Sequence, residues 1–245
     1  MDVTYLYLIG IVLAASLLQA YMGFGFALIA MALLPLLFDY TKAVALNTGI
    51  AIVSTIYMSV KHRRDIQWRT LLPLLIPSVI IGMTVTVFSF KVNSSLMMLL
   101  LGVMLIALAV WSFVFSGKIR LQPTLLNGTA MGLICGVCNG LFSIGGPAAA
   151  LYLLPATGSK ETYFATIQMF FAVCNTTNLI VRICKGSFAG GDWKMLLVGW
   201  GAMLLGTFIG QKFFKRTDSA RFTKAVYALI GVNGLWLVIS NIGKL

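Results

Sequence analysis

Acidic side chains are scarce in this chain. The six are Asp2, Asp39, Asp65, Glu161, Asp192 and Asp218, and each lies at the end of an apolar run or between two runs. No carboxylate is embedded mid-span, so a proton relay of the usual Asp/Glu kind has no carrier. Long hydrophilic stretches are missing too. Hydrophobic residues make up 60% and charged residues 10% of 245, with a mean hydropathy of +0.96. So much apolar surface exceeds what one aqueous core can hide, which excludes a soluble globular domain. There is no Gly-x-Ser-x-Gly elbow, His-Glu-x-x-His helix, Walker loop or intramembrane Asp pair. The known routes to membrane hydrolysis or ATP hydrolysis therefore lack their residues, and neither an enzyme, a cofactor nor a metal site is expected. The four cysteines form no disulfide framework, and Cys135-Gly-Val-Cys138 has no second ligand pair, so it reads as small residues at a packed helix surface. No basic stretch precedes the first apolar run and no cleavage signature follows it; Thr4 to Ala20 reads as a retained membrane segment.

What the chain has is a succession of apolar segments, near 4–20, 26–38, 43–60, 70–90 and 95–115, then 124–141, 147–157, 161–181, 193–213 and 222–241. Several reach the ~20 residues a spanning helix needs, whereas 26–38 and 147–157 are short enough to be half-helices or arms of re-entrant hairpins. The net charge of +12 is carried by short basic clusters between the runs, the pattern of loops held at a cytoplasmic face rather than of a nucleic-acid surface. Laid on itself at an offset of 120, the chain matches Gln19 with Asn139, Gly25 with Gly145, Pro35 with Pro155, Thr48 with Gln168 and Thr55 with Asn175, all without gaps. The expected organisation is a first repeat over 1–115, a linker over 116–123 and a second repeat over 124–245. If each repeat's opening pair enters and leaves on one face, twelve Lys and Arg share one side and six the other. The positive-inside rule then places both termini outside the cytoplasm and makes the repeats inverted. The fold class is an all-α polytopic membrane protein of two inverted repeats, each opening with a broken or re-entrant helix pair.

The candidate site follows from the breaks. Gln19-Ala-Tyr-Met-Gly-Phe-Gly-Phe-Ala27 and Asn139-Gly-Leu-Phe-Ser-Ile-Gly-Gly-Pro147 each interrupt what would otherwise be one long helix. Irregular backbone at membrane depth is tolerated only in protein or beside a cavity, so the paired breaks mark the substrate site. Phe26 and Pro147 begin the short helices after Gly23 and Gly25, and after Ser143, Gly145 and Gly146. Free N–H groups at both starts would attract an anion. Gly25 and Gly145 are the glycines expected to resist replacement. Gln19, Asn139, Gln168 and Asn175 could donate amide hydrogens. Gln168, Asn175, Asn178 and Arg182 recur along one face of segment 161–181, either a cavity wall or interhelical hydrogen-bonding glue. Asn47, Thr48, Ser54 and Thr55 form a weaker stripe on 43–60. Arg182 stands opposite His62 in the repeat; an interfacial, solvated side chain is expected for each, and Arg182 also closes the list of candidate ligands. Gly128, Gly132, Gly136 and Gly140 recur every four residues, most simply for close helix packing.

The first break followed by Pro35, and Gly140-Leu-Phe-Ser-Ile-Gly-Gly-Pro147 followed by Leu151-Tyr-Leu-Leu-Pro155, resemble the paired signatures of the sulfite exporter TauE/SafE family, also called the toluene sulfonate uptake permease family. The resemblance covers essentially the whole chain. It implies a bacterial inner-membrane transporter of sulfite, sulfonates or related organic anions. Its partners would be a small anion and the lipid bilayer, with a homodimer left open and no nucleic acid. Two other readings stay in play: a drug/metabolite-type transporter of other small solutes, and a non-transporting membrane scaffold.

Overall fold

A computed structural model describes residues 3–115, 121–188, 192–213 and 219–243. Residues 116–120 of the expected linker lie outside the described residues, as do Asp2, Lys215, Arg216, Asp218 and Lys244. Among the described residues the chain is helical with no strand. Its order is α1 (Val3–Met22), α2 (Phe26–Leu33) with a 3-10 turn Leu34–Leu36, α3 (Tyr40–Lys61), α4 (Trp68–Ser89) and α5 (Ser94–Phe115). Then follow α6 (Leu125–Phe142), α7 (Gly146–Ala156), α8 (Lys160–Cys184), α9 (Asp192–Phe213) and α10 (Ser219–Ile242). Among the described residues, seven helices, α1, α3, α4, α5, α6, α8 and α9, are long and apolar enough to cross a membrane. Large apolar side chains such as Leu6, Ile80, Val103, Leu197 and Ile239 face outward, as a lipid-solvated bundle requires.

Helices α3 and α8 form the centre: 72% and 56% of their apolar windows are buried, against 33–39% for the other five. They run antiparallel. Tyr40 at the start of α3 and Arg182 at the end of α8 both hydrogen-bond the last carbonyls of α6. At the other end the His62 ring meets Phe164, and the Gln67 N–H donates to Thr166 Oγ1 at 3.1 Å.

The outer helices pack through glycines. A Cβ at Gly128, Gly132, Gly136 or Gly140 of α6 would come within 2.6–2.8 Å of Pro73, Leu74, Ile81 or Gly82, so α6 lies parallel to α4 at near backbone contact. The same closeness joins α9 to α1, with the glycines on the other member: Gly206 and Gly210 of α9 meet Ser16 and Ala20. Gly102 and Gly234 bring α5 against α10 in the same way.

The chain breaks at both expected places, by different means. After α1, Gly23 (φ 77°) and Gly25 (φ 113°) take left-handed backbone that costs a side-chain-bearing residue energy. After α6 the left-handed residue is Ser143 (φ 57°, ψ 25°), while Gly145 has φ −94°, open to any residue. The backbone reason for glycine thus applies to Gly25 and not to Gly145. Each short helix then folds back on the helix before it. A Cβ at Gly25 would strike Leu18, and one at Gly128 would strike Tyr152.

Candidate functional site

The two breaks meet. A Cβ on Gly146 would lie 2.7 Å from Phe24 Cδ2, so the opening residue of α7 touches the residue two before the start of α2. Between them is a small cavity of about 30 Å³ with no charged residue in its wall. Its lining comes from break and helix start in each half (Phe24–Leu28; Ser143, Ile144, Gly146 and Pro147), with Gln19, Asn47, Ala51, Thr55, Phe171 and Asn175. Ten of these fifteen residues pair by the offset of 120: Phe24 with Ile144, Phe26 with Gly146, Ala27 with Pro147, Ala51 with Phe171 and Thr55 with Asn175.

Its polar equipment is neutral and partly unengaged. Gln19 (4% exposed) has no partner for Nε2, and Asn47 (0%) has none for Nδ2 or Oδ1. The N–H groups of Phe26 and Ala27 open one short helix and that of Gly146 opens the other, ahead of the first carbonyl they could reach; Leu28 already bonds the Gly25 carbonyl and Pro147 has no N–H. A small anion could be met by backbone N–H groups, by amide hydrogens and by the positive ends of two helices, with no fixed charge to trap it.

Each break is held by the central helix of the opposite half. Gln168 Nε2 donates to the Gly23 carbonyl at 2.9 Å. At the related place Thr48 Oγ1 and Ser143 Oγ are 2.6 Å apart; Thr48 gives its hydrogen to the Val44 carbonyl, so Ser143 is the donor.

Of the residues expected at the site, Gln19, Gly25, Phe26, Ser143, Gly146 and Asn175 line the cavity, whereas Gly23, Asn139, Gly145, Gln168 and Arg182 form no part of its wall. Gly23 and Gln168 hold the first break, and the Gly145 carbonyl accepts from Cys135 Sγ at 3.4 Å. The stripe on α8 therefore serves both purposes: Asn175 is cavity wall, while Gln168, Asn178 and Arg182 bond backbone carbonyls. Arg182 corrects the expectation of a solvated side chain. It is 0% exposed and donates through Nη2 to the Gly140 carbonyl at 2.8 Å, because α8 runs inside the bundle to its last turn. His62 does keep a partly exposed side chain, 3.9 Å from Asp65. Asn47 and Thr55 belong to the cavity though the sequence placed them only in the weaker stripe; the signal available was Thr55 opposite Asn175 in the repeat. Phe24, Ile144, Ala51 and Phe171 carried no signal beyond apolarity.

A bundle with an apolar exterior and a neutral polar cavity where two helices break defines a multi-pass membrane protein of the transporter class. Residues 8–237 match the family described as sulfite exporter TauE/SafE, and the chain belongs to that family. No curated protein and no solved structure matches it.

Proposed function

We propose that the protein exports a small oxyanion, sulfite or a sulfonate, through the cavity between the two helix starts. The observation that carries this is the cavity wall: a chargeless lining of mostly offset-related residues, with two helix N-termini and unengaged amides. Gln19, Gly25, Phe26, Ser143, Gly146 and Asn175 would contact the anion, with Asn47 as a further amide donor. The division into two inverted repeats, 1–115 and 124–245, is supported by the antiparallel run of α3 and α8 and by exchanged pairings. Helix α6 lies on α4 as α1 lies on α9, and the breaks are held crosswise by Thr48 and Gln168. The end bearing Lys61, Arg63, Arg64 and Arg69 then faces the cytoplasm of a bacterial cell, with the inner membrane as its site.

Direction follows from charge. Moving one negative charge outward across an inside-negative membrane gains ~2.3 kcal/mol per 100 mV, so efflux needs no proton partner. Sulfite efflux from proteoliposomes at clamped voltage tests the reading. Outward flux is expected to rise with inside-negative potential and to ignore a proton gradient. Asn175→Leu is expected to weaken sulfite binding about tenfold, the worth of one hydrogen bond of ~1.4 kcal/mol, with an unchanged melting temperature. Vesicles that move neither sulfite nor sulfonates would sink it. Stoichiometric co-purification of another protein would then favour a scaffold, and flux of cationic or aromatic solutes the drug/metabolite type.

A further inference from the structure

Behind the second break lies a buried polar cluster that forms no part of the cavity wall. The Arg182 guanidinium pairs with no carboxylate among the described residues; the Tyr40 hydroxyl is its polar side-chain neighbour, and Nε and Nη1 are left without a well-formed hydrogen bond. Asn139 (1% exposed) has only the weak acceptor Cys174 Sγ beside its amide, and Asn178 (2%) leaves Oδ1 unpaired. Buried polar atoms are almost always hydrogen-bonded, and a buried cation without counter-charge is costlier still. Capping α6 does not account for it, since the carbonyls there have other donors. Gly140 accepts from Thr86 Oγ1 at 3.0 Å, Leu141 from the Tyr40 hydroxyl at 2.5 Å and Asn139 from the Ser143 N–H at 2.9 Å.

We propose that Arg182, with the side-chain amides of Asn139 and Asn178, is a second anion station, separate from the cavity and set toward the end that carries Tyr40 and Lys42. Its ligand is a small oxyanion of the class assigned to the cavity, and the proposal rests on that reading. A planar guanidinium offers N–H groups spaced for oxyanion oxygens, and Asn139 Nδ2 with the second Nδ2 hydrogen of Asn178 can donate to the rest, the first being given to the Asn139 carbonyl. The station adjoins the cavity: Asn139 Cγ lies 3.4 Å from where a Cβ of Gly145 would sit, one residue before the cavity-lining Gly146. Placing the cation here rather than in the cavity draws the anion outward, while the neutral cavity binds loosely enough to release it.

The test uses the full chain with sulfite as the probe, comparing efflux from proteoliposomes with sulfite-induced thermal stabilisation. Arg182→Met is expected to cut flux about tenfold, since it removes charged hydrogen bonds, while stabilisation by sulfite at the cavity changes by less than about twofold. Arg182→Lys keeps the charge and recovers part of the flux, a rescue that mere packing would not produce. Asn178→Leu lowers flux several-fold. Wild-type flux in a folded Arg182→Met protein overturns the station, as does a Lys variant no better than Met at equal melting temperature. If Arg182→Met does not fold, Arg182→Lys and Asn178→Leu decide: wild-type flux in both overturns the station, and reduced flux with retained sulfite binding supports it. The two readings fail differently. Flux lost in Asn175→Leu alone removes the station and keeps the cavity, whereas a wild-type protein that moves no sulfite removes both.

Discussion

The first and second breaks occupy the same place in the two halves of the chain and reach it by different chemistry. At the first, Gly23 and Gly25 supply left-handed backbone directly, and one amide, from Gln168, holds the turn. At the second, Ser143 takes the left-handed position and donates its hydroxyl hydrogen to Thr48, and Tyr40, Thr86 and Arg182 bond the carbonyls where α6 ends. A short polar side chain that bonds nearby can thus stand where glycine stands in the other half. What both breaks deliver is the same: a short helix whose first residues line the cavity.

Four substitutions test the difference between the two breaks. Gly25→Val combines left-handed strain with a Cβ 2.8 Å from Leu18. A cost of roughly 3 kcal/mol or more is expected, seen as poor expression or a lowered melting temperature, with transport abolished. Gly146→Val carries no strain of that kind, but its Cβ would meet Phe24 at 2.7 Å. Overpacking of about 1–3 kcal/mol is expected, and folded protein should lose sulfite binding because the cavity is filled at a helix start. Ser143→Gly relieves left-handed strain and loses the Thr48 bond, two effects of about 1 kcal/mol with opposite sign. Its melting temperature should therefore stay near wild type, and a large fall would show that the lost hydroxyl bond outweighs the relieved strain. Gly145→Ala is the smallest, because its Cβ would make only ordinary contacts near 3.4 Å with Asn139 at an unstrained φ. Flux within about twofold of wild type is expected; abolished flux would show the second break to depend on glycine as the first does.

Much of this was legible in the chain itself. The apolar runs locate the ten helices among the described residues to within a few positions, since a spanning segment must be continuously apolar. The offset of 120 anticipated Thr55 opposite Asn175 and Thr48 opposite Gln168, the first pair meeting in the cavity wall and the second crossing over to hold the breaks. Arg182 was misplaced because hydropathy locates a residue along a helix and not around it: a last-turn arginine looks interfacial until α8 proves central.

The class of protein, the helices and the two points where they must stop can be read along the chain, because bilayer thickness and glycine backbone freedom are local constraints on a linear polymer. The tertiary structure alone decided which glycine is sterically required. Gly146 and not Gly145 faces Phe24, and that depends on a neighbour more than a hundred residues away. It also decided that Gln19 and Asn175 reach the cavity while Asn139 and Arg182 form no part of its wall. Whether a buried amide meets a ligand or a carbonyl is set by the packing of separate helices, and no spacing along one of them carries that information.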